Sequence, residues 1–165
     1  MGSTPNVAPS AAPPSALTSS QQLALLKIAL NRRVQSGAHW FFWITGLSIL
    51  NSIISLGGGR WRFIIGLGIT QIVDAVAAGA KLGTGIPLVL DILASGIFVF
   101  FGLQARKRRN WAFLTGMILY ALDMLLLALF KDILGIGFHL YALYFIYRGM
   151  KANEKLEALE RGILS

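Results

Sequence analysis

The sequence predicts an all-α integral membrane protein, a bundle of five transmembrane helices preceded by a short amphipathic helix. Three observations carry that prediction. The 165 residues are 55% apolar and 13% charged, with a mean hydropathy of +0.65, whereas soluble domains average about 25% charged. Five apolar runs approach the roughly 20 residues that a helix needs to cross hydrocarbon. Most of the 15 Lys and Arg stand at the ends of those runs, where a bilayer tolerates them. The same distribution explains the net charge of +8 without nucleic acid, so no nucleic-acid partner is expected. The absence of cysteine excludes disulfides, thiolate zinc sites and cysteine nucleophiles. No cofactor is expected.

The elements follow in order. Residues 1–18, rich in Pro, Ala and Ser and free of charge, form a disordered tail. No basic segment precedes an apolar run there, so a secretory signal is not expected. Residues 19–36 open with Ser19 and Ser20, good helix caps, and repeat Leu23, Leu26, Leu30 and Val34 near helical spacing. The stretch is short and basic, which suits an interfacial amphipathic helix.

Residues 37–150 hold the transmembrane domain. Its runs are about 39–56, 61–80, 86–105, 111–130 and 134–150, separated by "GGGR", "KLGTG", the basic block Arg106 to Arg109 and "KD". Pro87 suits a first helical turn, where its missing N–H costs nothing. Trp40, Trp43, Trp61 and Trp111 mark run ends, as tryptophan favours the headgroup level. Ala75, Gly79 and Gly83, at four-residue spacing, predict close packing of the second run. Residues 151–165 read as a short polar cytoplasmic helix and tail.

Five crossings would put the chain ends on opposite sides. Lys27, Arg32, Arg33, Lys81 and Lys131 then share the N-terminal side, and the ten other basic residues share the C-terminal side. The positive-inside rule places the C-terminus in the cytoplasm and the N-terminus outside. If the second run re-enters, the count falls to four and the assignment changes. A weak repeat supports paired hairpins: Trp61, Phe63 and Gly66 match Trp111, Phe113 and Gly116.

The segments "GAHWFFWITGLSILNSI" and "FIIGLGITQIVDA" resemble a family of small multi-pass bacterial membrane proteins, over about residues 38–150. The resemblance implies a bacterial inner membrane and supplies no activity, cofactor or site residue.

The polar residues inside the runs are the candidate site. Asp74, Asp91, Asp123 and His139 lie five to seven residues from the outer ends of four runs, roughly 7–11 Å deep at 1.5 Å per residue. Gln71 and Thr70 share the face of Asp74, Ser95 that of Asp91 and Tyr120 that of Asp123. Ser48, Asn51 and Ser55 stripe the first run. A charged Asp at a helix centre costs about 2.5–3.5 kcal/mol, so such residues face other helices or water.

Three functions fit. The leading one is a non-catalytic membrane protein whose Asp and His residues fix helix register by hydrogen bonds and which associates with itself or other membrane proteins. The alternative is a small proton- or cation-linked transporter or channel with Asp74, Asp91, Asp123, His139, Asn51 and Gln71 in the pathway. No recognised metal-ligand spacing is present. The remote third is a hydrolase, because Ser95 in "LASG" with His139 resembles the Ser–His pair of rhomboid proteases, with Leu93 in place of that motif's first glycine. Arg106, Lys107, Arg108 and Arg109 are expected to set topology and meet anionic lipid headgroups.

Overall fold

The computed structural model describes residues 18–56, 68–69, 79, 85–129 and 131–162. Four long helices make up most of them: α1 (Ser19–Leu56), α2 (Gly85–Arg106), α3 (Asn110–Leu129) and α4 (Ile133–Glu160). No strand occurs among the described residues. Two of the helices, α2 and α3, are long and apolar enough to cross a membrane. Pro87 falls in the first turn of α2.

Pairwise contacts fix the arrangement. Along α1 and α2, Gln35 meets Arg106, Phe41 meets Phe101 and Phe98, Thr45 meets Ser95, and Ser52 meets Asp91. One number rises as the other falls, so the two helices are antiparallel. The same holds for α1 and α4, where Gly37 touches Gly149 and Trp40 stacks on Phe145 at 5.2 Å. It holds for α3 and α4 through Asn110–Glu157 and Asp123–His139, and for α2 and α3 through Phe101–Trp111 and Phe98–Tyr120. The helices therefore form a ring, α1–α2–α3–α4, each antiparallel to both neighbours.

This ring corrects the expected topology. The start of α1, the α2–α3 turn and the end of α4 share one end of the bundle. Leu56, Gly85 and the α3–α4 turn share the other. Four long helices are described, two of them apolar enough to cross a membrane, and Leu56 and Gly85 lie at the same end, so a bundle of five crossings with the chain ends on opposite sides is not supported. The basic residues move accordingly. Lys27, Arg32, Arg33, Arg106 to Arg109, Arg148, Lys151, Lys155 and Arg161 belong to one end, against Lys131 alone among the described residues at the other.

Two expected boundaries are also absent. Residues 19–36 are not a separate interfacial helix, because α1 runs unbroken for 38 residues, about 57 Å at 1.5 Å per residue. Buried Leu30, Val34 and Ala38 hold its first half to the bundle. Likewise the helix of the fifth run continues through Met150 to Glu160.

Both tight turns use the same device. At the end of α2, Arg109 N–H donates to Gln104 O at 3.3 Å and Arg108 N–H to Ala105 O at 2.9 Å. At the end of α3, Asp132 N–H donates to Leu127 O and Lys131 N–H to Ala128 O. These are Schellman closures, which need a left-handed residue that is usually glycine. Here Arg108 (φ 65°) and Lys131 (φ 57°) fill that place. Asp132 then caps α4, its Oδ1 accepting from Gly135 N–H at 2.9 Å.

Close packing occurs at Gly37 and Gly149. A Cβ on Gly37 would lie 2.6 Å from Gly149 Cα, so two backbones touch where α1 crosses α4. A Cβ on Gly79 would meet nothing within 4 Å among the described residues. Ala75 and Gly83 lie outside the described residues, as do the Trp61 half of the repeat and Ser55 as a side chain.

The distribution of polarity is inverted relative to a soluble domain. Ser48, Ser52, Asp91, Ser95, Asp123 and His139 are buried, while Val89, Ile92, Leu93, Ile118, Leu122 and Leu125 are each more than half exposed. Only a third of each membrane-length apolar window in α2 and α3 is buried, whereas a soluble core helix would be mostly covered.

Candidate functional site

The inward polar seams expected of the helices are present, and they bring Asp123 and His139 together. Asp123 on α3 is 5% exposed and His139 on α4 is fully buried. His139 Nε2 lies 2.8 Å from Asp123 Oδ2. His139 Nδ1 lies 2.8 Å from Gly135 O, one turn back on α4. A carbonyl only accepts, so Nδ1 carries a hydrogen. The Nε2···Oδ2 contact therefore holds one proton, as an imidazolium–carboxylate or an imidazole–carboxylic acid pair.

The same carboxyl group receives two main-chain donors. Gly68 N–H reaches Oδ2 at 2.7 Å and Ile69 N–H reaches Oδ1 at 2.8 Å. Both residues have helical backbone. Glycine permits the approach: a Cβ at Gly68 would lie 2.9 Å from Leu127 Cδ2 and 3.0 Å from Asp123 O.

Tyr120 completes the layer. Its ring stacks on His139 with centroids 4.1 Å apart and 15° between planes, and meets Phe98 edge-on. Its hydroxyl is buried without a hydrogen-bond partner among the described residues.

The other expected members sit elsewhere. Asp91, 4% exposed, pairs with Ser52 Oγ across α1 and α2. Asn51 is half-buried on α1. Asp74 and Gln71 lie outside the described residues. The Ser–His pair of a hydrolase is not formed: both His139 nitrogens are occupied by Gly135 O and Asp123, and Ser95 Oγ is buried with no hydrogen-bond partner among the described residues. Among these residues no group of three or more Asp, Glu, His or Cys could hold a metal.

Sequence reasoning missed a second polar network, at the basic end. Asn153 is fully buried. Its Nδ2, with two hydrogens, has three acceptors in reach, Arg108 O at 2.7 Å, Asn110 Oδ1 at 2.9 Å and Glu157 Oε1 at 2.9 Å, while its Oδ1 accepts from Arg108 Nε at 3.1 Å. Arg108 grips Glu160 with both terminal nitrogens, at 2.9 and 2.7 Å. Arg108 thus turns inward and ties the α2–α3 turn to α4, while Arg106, Lys107 and Arg109 are exposed. The hydrogen bonds from Arg108 hold the Glu160 carboxyl below its ordinary value of 4.5 against slight desolvation, and the charges of Arg108 and Lys27 act in the same direction. The signal was the spacing of Asn153, Glu157 and Glu160, which lie on one helix face.

Comparisons with protein-family models, with curated proteins and with solved structures find no match for this chain. The resemblance of the first two runs to small bacterial membrane proteins is thus not accompanied by a matching family model.

Proposed function

We propose that the chain is a non-catalytic, multi-pass integral membrane protein whose Asp123–His139 pair is a structural joint. One observation carries the non-catalytic part. Both carboxylate oxygens and both imidazole nitrogens are engaged by the chain itself, so neither side chain offers a substrate an unused group. The joint pins three pieces of chain together: α3, α4 and the helical backbone at Gly68 and Ile69. Its role is to fix register, since interhelical hydrogen bonds contribute only about 0.6 kcal/mol each on average in membranes.

The membrane placement rests on the inverted polarity, because lipid replaces water against the exposed Leu, Ile and Val of α2 and α3. All four described helices then cross. Both chain ends face the cytoplasm with the basic end, following the positive-inside rule, in what the resemblance makes a bacterial inner membrane. Arg106, Lys107 and Arg109 face anionic headgroups there. The apolar exterior serves association with other membrane proteins or a second copy.

A second reading has its own support. The Nε2···Oδ2 contact holds one proton between a buried carboxyl group and a buried imidazole, and ionisable residues inside a membrane commonly mark proton relays. Proteoliposomes with a pH gradient and a trapped pH dye separate the two. The structural joint predicts dissipation no faster than in protein-free vesicles, for wild type and Asp123→Asn alike. A flux in the wild type that Asp123→Asn abolishes would establish the proton-linked reading.

A further inference from the structure

We infer that a groove between α1 and α4 at the basic end is a binding site for one anionic glycerophospholipid; this rests on the membrane placement above. The groove has a volume of about 590 Å³ and is lined by Arg32, Ser36, His39, Trp40, Trp43 and Tyr141 among others.

Its chemistry is graded along the helix. Arg32, Ser36 and His39 lie one turn apart on one face of α1 and form the polar part. Arg32 has no acidic partner among the described residues, and no Asp or Glu lines the groove. A neighbouring cavity of about 470 Å³ shares Asn31 and Arg32 and adds Lys27. The Arg108 that borders that cavity is already occupied by Glu160, and of the cations there it is Arg32 that also lines the groove and can meet a phosphate in it.

The lower part is aromatic. Trp40 stacks on Phe145 and meets Tyr141 edge-on at 5.3 Å, making a flat floor, and Trp43 stands 64% exposed beside it. From Arg32 to Trp43 the axis advances about 16 Å, enough for a phosphate, a glycerol and the first methylenes of an acyl chain. Tryptophan and tyrosine belong at that interface. The charge decides the headgroup class. A phosphatidylglycerol phosphate meets Arg32 uncompensated, while a choline headgroup brings its own cation against the guanidinium.

The test uses the full chain with Trp61→Phe and Trp111→Phe, so that emission comes from Trp40 and Trp43. It is reconstituted in phosphatidylcholine vesicles containing a minor fraction of acyl-brominated phosphatidylglycerol or, in parallel, brominated phosphatidylcholine. The site predicts stronger quenching by brominated phosphatidylglycerol. Arg32→Gln should reduce that preference about fivefold, the weight of one basic residue near the surface. Arg33→Gln, on the same turn but outside the groove, should leave it unchanged. Equal quenching by the two lipids, or equal losses in the two variants, overturns the site while leaving the membrane placement standing. Loss of the preference in excess glycerol 3-phosphate would also overturn it, assigning the groove to a free phosphate ester. Quenching by neither lipid would overturn the membrane placement itself.

Discussion

Asp123→Asn distinguishes a carboxylate held by donors from a polar residue that merely needs a partner. Three N–H groups converge on Asp123: Gly68 and His139 on Oδ2, Ile69 on Oδ1. An asparagine has one oxygen and one NH₂. If the NH₂ takes the Oδ2 position it can donate to His139 Nε2, but it then confronts Gly68 N–H. If it takes the Oδ1 position it confronts Ile69 N–H, and His139 must be cationic beside a neutral amide. Either way one buried main-chain donor loses its acceptor, at about 1–3 kcal/mol. Asp123→Ala strands all three donors and should cost about 3 kcal/mol, at the lower end for breaking a buried pair because donors in membranes find other partners on unfolding. The assay is reversible unfolding of the purified chain in mixed micelles by increasing SDS. The expected order is wild type, then Asn, then Ala, with Asn about 1–2 kcal/mol below wild type. An Asn variant as stable as wild type would refute the donor geometry.

Two other substitutions probe independent contacts. Gly37→Ala places a Cβ 2.6 Å from Gly149 Cα, whereas a Cβ on Gly46 or Gly137 would meet nothing within 4 Å among the described residues; SDS unfolding should show a loss of about 1–3 kcal/mol for Gly37→Ala and little change for Gly46→Ala or Gly137→Ala. The Arg108–Glu160 pair predicts a pH dependence. Because the folded Glu160 carboxyl titrates below its ordinary 4.5, its contribution is complete above that value and is lost as pH falls through the lower folded value. A carbon-13 carboxyl NMR titration should show the Glu160 midpoint rising toward its ordinary value in Arg108→Gln; an unchanged midpoint would separate Arg108 from Glu160.

Helical class and inward polar seams were legible because both follow from periodicity and from the cost of exposing Asp or His to hydrocarbon. Depth counting put Asp123 and His139 in one layer, and they do meet. It also put Asp91 there, yet Asp91 pairs with Ser52 on the far side of the ring, because equal depth says nothing about which helices are neighbours. The topology was misread for a related reason. Apolar length alone counted run two, most of which lies outside the described residues, as a crossing, while the tertiary contacts Gln35–Arg106 and Gly37–Gly149 place the first half of α1 beside the ends of α2 and α4. Arg108 looked like one more headgroup residue in a basic block. Its left-handed backbone and its fit to Asn153 and Glu160 depend on a turn that sequence pattern does not specify, since arginine occupies a place that glycine usually marks.

Because the chain lacks cysteine, its topology can be measured directly with single cysteines. Ser20→Cys, Lys131→Cys and Lys155→Cys, each at an exposed position, would be treated with a membrane-impermeant maleimide in sealed right-side-out vesicles. The antiparallel ring with both ends at the basic side predicts labelling of Lys131→Cys alone, with Ser20→Cys and Lys155→Cys reacting only after permeabilisation. Labelling of Ser20→Cys from outside while Lys155→Cys stays protected would put the two chain ends on opposite sides of the membrane and contradict the account.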